Sequence, residues 1–242
     1  MKYSIIIPVL NEEILLPGLL GQLNDPLLKS KFDYEIIISD GGSKDKTIEI
    51  ALKVADLIKI HNKDYKQNIA QGRNEGAKLA QGEILVFLNG DIHLPSVVDF
   101  FNFIDTIFYN SNYLAMTCVV KVFPEEEILS DRLFHWGYNT YFKSLNKFGI
   151  GMGRGECQVV RKSIFKKVNG NNEKLAAGED FDLFRRIKKH GDILFTDKIV
   201  VYESPRRYRK LGYIGVSWSW AKNGISVLLK NKSISKDWEQ VR

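Results

Sequence analysis

A chain of 242 residues with 44% hydrophobic and 26% charged side chains carries enough apolar material for one sizeable core, which excludes a disordered or fibrous protein. The formal charge of +6 favours an anionic partner, yet Lys and Arg are interrupted by acids nearly everywhere except at Arg206, Arg207, Arg209 and Lys210. Cys118 and Cys157 are the two cysteines, too few for a disulfide framework or a four-ligand zinc site, and they read as free thiols in a reducing cytoplasm.

The first element is the β-branched run YSIIIPV at 3–9, whose near-continuous apolar character predicts a strand covered on both faces of a parallel sheet. NEE follows directly after Leu10, leaving neither the length nor the cleavage site of a signal peptide. Asn11 then reads as a helix cap ahead of Leu15, Leu16, Leu19, Leu20 and Leu23 at helical spacing. The cycle repeats with YEIIISD at 34–40, the turn GGSKDKT and an amphipathic stretch through Ile48, Ala51, Leu52 and Ala55. A short strand at 57–61, a helix over 67–80 and a strand at 83–89 complete the first half. Such alternation predicts a parallel twisted sheet with right-handed crossovers and ligands beyond the strands' carboxyl ends.

The second half is less regular. Residues 97–109 read as a helix, 114–122 as a strand and 125–147 as an aromatic-rich helical region. GIGMGRGECQVVRKSIF turns from glycine-rich to strand-like, and 179–190 reads as a helix. SPRRYRKLG at 204–212 reads as a cationic loop able to close over a diphosphate, steer an anionic acceptor or rest on lipid headgroups. The tail from Gly212, with Trp218, Trp220, Leu228 and Leu229 beside lysines, reads as an amphipathic helix suited to a membrane interface. No apolar run approaches the ~18–20 residues needed to cross a bilayer.

Several residues carry candidate chemistry. Asp40, followed by Gly41 and Gly42, offers a carboxylate to a base or ribose where glycine permits close approach, or else simply caps a turn. Arg73 opens a helix near the same crevice, and its planar fork suits a diphosphate. In NGDIHLP, Asn89, Asp91 and His93 alternate, so an extended segment projects them to one side around a divalent cation, manganese tolerating such mixed ligands better than magnesium. Glu179 and Asp180 stand at a helix start, where acids suit the dipole and one can serve as a general base.

Taken in order, SIIIPVLNEE, EIIISDGGSKDKT, GRNEGAKLAQGEILVFLNGDIHLP and GEDFDLFRRIKKHG resemble the family 2 glycosyltransferases over roughly residues 1–205. The resemblance implies a single-domain nucleotide-sugar-binding α/β fold of the glycosyltransferase A type, with a mostly parallel central sheet flanked by helices. It implies a transferase domain over 1–211, with a nucleotide-binding half at 1–95 and an acceptor-binding half at 96–211, ahead of a basic, aromatic tail at 212–242. The donor is then a nucleoside-diphosphate sugar, its nucleoside contacted by Pro8, Leu10, Asn11, Glu12, Asp40 and Gly41. Asn89, Gly90 and Asp91 align with the family's Asp-any-Asp motif, with Asp91 and His93 holding Mn2+ or Mg2+, and the first Asp of that motif is Asn89 here. Arg73, Arg206 and Arg207 face the diphosphate, and Asp180 beside Glu179 is the base of an inverting single displacement.

The expected acceptor is a hydroxyl on a glycan or a lipid-linked sugar, reached from the cytoplasm or the inner face of the cell membrane. The alternatives are a polyprenyl-phosphate acceptor or a non-catalytic sugar-nucleotide binder. A dinucleotide-dependent oxidoreductase is excluded because PVLNEE, not G-x-G-x-x-G, follows the first strand. No helix-turn-helix, finger or RNA-recognition signature points to nucleic acid.

Overall fold

The computed structural model describes residues 1–230 and 232–235. Strand β1 (Tyr3–Val9) is the hub: it pairs in parallel with β2 (Tyr34–Asp40) and with β4 (Ile84–Leu88), and β3 (Leu57–Ile60) extends the sheet beyond β2. The crossovers are helices α1 (Leu16–Leu23), α2 (Pro26–Phe32), α3 (Thr47–Ala51) and α4 (Ile69–Leu79). β1 divides its side chains between two cores, as period-2 geometry requires. Tyr3, Ile5, Ile7 and Val9 join Leu16, Leu19, Phe100 and Phe101 on one face, and Ile6 joins Ala77, Phe87 and Leu183 on the other. Gly76 of α4 sits so tightly on β1 that a Cβ there would come within 2.4 Å of Ile6 Cγ2.

The remaining strands make the sheet mixed. After the two-residue β5 (Ile92–His93), helix α5 (Val97–Phe103) continues as a π-helical turn over Ile104–Tyr109. β6 (Ala115–Val122), α6 (Leu129–Lys147), β7 (Cys157–Arg161), α7 (Lys162–Lys167), α8 (Glu179–Lys188) and β8 (Ile193–Glu203) follow. β7 enters antiparallel between β4 and β6, β8 runs parallel to β6, and the full order is β3-β2-β1-β4-β7-β6-β8-β5. Because β7 is antiparallel, its leading end at Cys157 lies opposite Leu88, the trailing end of β4. The glycine-rich approach to β7 therefore arrives at the same rim as the loops after β1 and β4.

Two expectations are corrected. Asn11 caps no helix: its φ is +52°, its amide donates to Ser43 Oγ (2.8 Å), and α1 begins only at Leu16. The stretch 206–211 is not a loop but the first part of α9 (Arg206–Lys230), interrupted at Gly212 (φ +69°, ψ +156°). The expected tail is helical from 213 through Lys230, and residues 231 and 236–242 lie outside the described residues, as does the Leu229 side chain. The sheet is mostly parallel, as expected, with antiparallel pairs at β4–β7, β6–β7 and β5–β8.

Candidate active site

A cavity of about 910 Å³ opens along this rim, at the upper end of the ~300–1,000 Å³ typical of ligand sites. Pro8, Leu10, Glu12, Gly41, Arg73, Asn89, Gly90, Asp91, Glu179, Asp180, Arg206 and Arg207 all line it. Residues separated by two thirds of the chain are therefore brought together. Asn11, Asp40 and His93 do not line it.

The reasons are local. Asp40 is 1% exposed, and its carboxylate is consumed by its own turn: Oδ2 accepts from the Gly42 and Ser43 amides (2.8 and 3.0 Å) and Oδ1 from the Ser43 hydroxyl. Its turn-capping role is the one observed. Asn11 Oδ1 accepts from the Lys44 amide (2.7 Å), linking the loops after β1 and β2. His93 packs its ring on Phe123 with centroids 4.7 Å apart, and its Nε2 lies 2.2 Å from where a Cβ on Gly18 would be. Asn89 and Asp91 reach the cavity while His93 turns toward α1 and Phe123, so the expected one-sided array of three is not formed.

Arg73 is the structural centre of the site. Only 1% exposed, it donates from Nη1 to Glu179 (2.6 Å) and from Nη2 to the Gly155 carbonyl (2.7 Å) and Asn89 Oδ1 (3.2 Å). One guanidinium thus joins α4, the loop after β4, the approach to β7 and the start of α8. A buried carboxylate such as Glu179 is tolerable only with such a partner.

Beside it stands Asp180. Gly178, left-handed with φ +80°, turns the chain into α8 and delivers both acids in its first turn. Burial, and then the neighbouring Glu179 carboxylate, push the Asp180 carboxyl up to about 7 from an ordinary 3.8, with Arg73 opposing the rise. Asp180 is thus a proton-exchanging group near neutrality beside an acid held in place by Arg73, an arrangement suited to general-base chemistry.

Asp91 has a different partner. Arg206 Nη2 donates to Asp91 Oδ2 (2.8 Å), and both terminal nitrogens of Arg206 hold Glu12 (2.7 and 3.0 Å). The start of α9 is thereby fastened to the loops after β1 and β4. A divalent ion travelling with a nucleoside diphosphate takes most of its ligands from phosphate and water and needs one or two protein carboxylates. Asp91 meets that requirement, although among the described residues no group of three His, Cys, Asp or Glu is gathered to hold a metal. Asn89 supplies no charge, and its amide oxygen already accepts from Arg73.

A second charged network adjoins the first, and the sequence reading missed it. Arg154 is 2% exposed and holds Glu156 (3.1 Å) and Glu203 (3.5 Å), while Tyr208 donates to Glu203 (2.6 Å). Burial, then Glu156, push Glu203 well above the carboxylate range. Burial, then Arg154, hold the His135 ring neutral with a pKa lowered to about 4. The signal was the charged triplet RGE ahead of an apolar strand, but only the antiparallel entry of β7 brings it to Glu203.

A curled mixed sheet flanked by helices, with the loops after β1 and β4 and an acid pair around one crevice, has the glycosyltransferase A class of fold. Residues 4–168 match the family model described as Glycosyl transferase family 2, and the chain belongs to that family. Among curated relatives, an undecaprenyl-phosphate 4-deoxy-4-formamido-L-arabinose transferase of Pseudomonas fluorescens is 32% identical over 98 residues, covering 38% of this chain and 28% of the relative. Among solved structures, a mannosyltransferase of Pyrobaculum calidifontis in complex with GDP-Man and Mn2+ superposes with a TM-score of 0.66 at 18% identity, over 84% of this chain and 56% of that one. Glucosyl-3-phosphoglycerate synthase of Mycobacterium tuberculosis, with Mn2+, UDP and glucosyl-3-phosphoglycerate, gives 0.63 at 16% identity over 94% and 78%. The matches to curated relatives span well under half of their lengths, from 19% to 35%.

Proposed function

We propose that this glycosyltransferase moves a sugar from a nucleoside diphosphate to a hydroxyl, by a single displacement that inverts the anomeric centre. The observation that carries the proposal is the Asp180 carboxyl, pushed up to about 7 inside the cavity that Asp91 and Arg206 also line. A hydroxyl acceptor must lose its proton as it attacks, and a base poised near the working pH serves that step best. Glu179, fixed by Arg73, stands beside Asp180 and helps to raise its pKa.

On the donor side, Pro8, Leu10, Glu12 and Gly41 form the nucleoside wall. Asn11 and Asp40 act behind it, by shaping the loops. Arg206 and Arg207 face the departing diphosphate, whose growing charge they stabilise. A divalent ion bound with the diphosphate, held by Asp91, would add Lewis-acid stabilisation of the same charge. The neighbouring structures with Mn2+ support manganese as that ion.

The relative that acts on undecaprenyl phosphate supports a lipid-linked acceptor, and no helix among the described residues is long and apolar enough to cross a membrane. A peripheral contact through α9 reconciles the two. The test is calorimetry of UDP- and GDP-sugars with and without Mn2+ on the protein and on Asp91→Ala. Manganese-dependent binding lost in the variant is expected, and equal affinity in both proteins would remove Asp91 from the donor site.

A further inference from the structure

The cavity has two chemically distinct ends. Toward β1 and β2 it is walled by Pro8, Leu10 and Gly41, and in the middle stand Asn89, Gly155 and Asp180 at the ends of β4, β7 and the start of α8. Toward β6 and β8 the lining changes to side chains of α6, α9 and the turn between α6 and β7: Tyr138, Tyr141, Leu145, Ile150, Ile225 and Leu228. α6 packs on β6 and β8, and α9 on α8, so this arm is the far end of the cavity from the nucleoside wall.

We propose that this arm seats the hydrocarbon chain of a membrane lipid whose head presents the acceptor group to Asp180. The inference rests on the transferase reading and names the acceptor side of that site. Tyr141 (54% exposed), Ile225 (58%) and Leu228 (46%) are open to solvent yet line the same cavity as Asp180, so the arm is an accessible apolar surface rather than a closed core. Such an exposed patch rimmed by polar groups marks a partner.

Charge identifies the partner as a lipid surface. From Ser204 to Ser235 the sequence contains no Asp or Glu, while Lys222, Lys230 and Lys232 stand beside the apolar residues. Trp218 is 63% exposed with the Lys222 ammonium 4.7 Å from its ring centroid, a pairing that suits the headgroup layer. Asn223, the amide in the arm, is already occupied: its oxygen accepts from the Ile234 and Ser235 amides and its nitrogen donates to Ser219 O and Ser235 Oγ. It therefore asks for no polar ligand, and an alkyl chain satisfies the arm.

The experiment titrates the full chain with hexyl, octyl and decyl phosphates and with the matching alkyl glucosides, all below their micelle concentrations, by calorimetry. Affinity should rise roughly fourfold per added methylene as each is buried. Comparing the two series distinguishes a phosphate head from a sugar hydroxyl. Leu145→Glu and Ile225→Glu change half-buried or exposed positions, so the fold should survive, and both should flatten the dependence on chain length. A flat series in the unaltered protein, variants that titrate like it, or sedimentation showing a second copy sealing the mouth would each overturn the lipid seat. Nucleotide binding is measured on the same samples. Intact nucleotide binding with a flat alkyl series rejects the lipid seat alone, whereas absent nucleotide binding in the unaltered protein rejects the transferase reading beneath it.

Discussion

Replacing Asp180 by Asn should stabilise the fold while stopping transfer. In the folded protein burial and Glu179 raise this carboxyl from an ordinary 3.8 to about 7. The folded state thus binds the proton more tightly than the unfolded chain, and stability falls as pH climbs from the unfolded value through the folded one. The full penalty is present above about 7 and absent below about 4. By linkage a rise of this size corresponds to a few kcal/mol, about 4 at most.

Asn has nearly the same shape and no charge to bury, so the variant should gain that amount at pH 8 and less than half of it at pH 5. Urea unfolding at both pH values, with unchanged m, measures the difference. Transfer to a hydroxyl acceptor should be lost, and the acidic limb of kcat/KM in the unaltered enzyme should titrate near 7. A variant no more stable at pH 8 than at pH 5, relative to the parent, would refute the burial argument. Unchanged turnover would refute the base.

Arg73→Leu leaves Glu179 buried without its partner and should cost about 3–5 kcal/mol, read by urea unfolding. Arg73→Lys should recover only part of this, because an ammonium cannot span Glu179, Gly155 and Asn89 in one plane. His93→Ala should leave manganese-dependent donor affinity within about twofold, because its ring lies against Gly18 and Phe123, yet lower the melting temperature through lost packing. Gly76→Ala should destabilise by about 1–3 kcal/mol, since the new methyl meets Ile6 at 2.4 Å.

The β-α alternation of the first half was readable because its strands are buried on both faces and therefore apolar without interruption: β1 and β2 expose almost nothing. The gathering of Asp91, Glu179 and Asp180 was readable from motif order together with the rule that ligands sit at strand ends. β8 was not read because Asp197 and Lys198 interrupt it where the β6 register shifts at Cys118/Val119. α2 did carry a legible start: Asp25 accepts from the Leu27 and Leu28 amides and Pro26 follows it. His93 misled because alternation fixes sides only within one strand, whereas β4 ends at Leu88 and Asp91 lies outside the two-residue β5 that holds His93. The cations at 206–210 read as a loop because their partners, Glu12, Asp91 and Asp131, are remote in sequence.

The bond from Arg73 to Glu179 spans 106 positions of sequence. During synthesis the guanidinium emerges long before its carboxylate, and until α8 docks it has no anionic partner at that place. A chain interrupted before α8 therefore lacks the carboxylate that this buried guanidinium requires, and the first half of the sequence cannot complete the rim by itself.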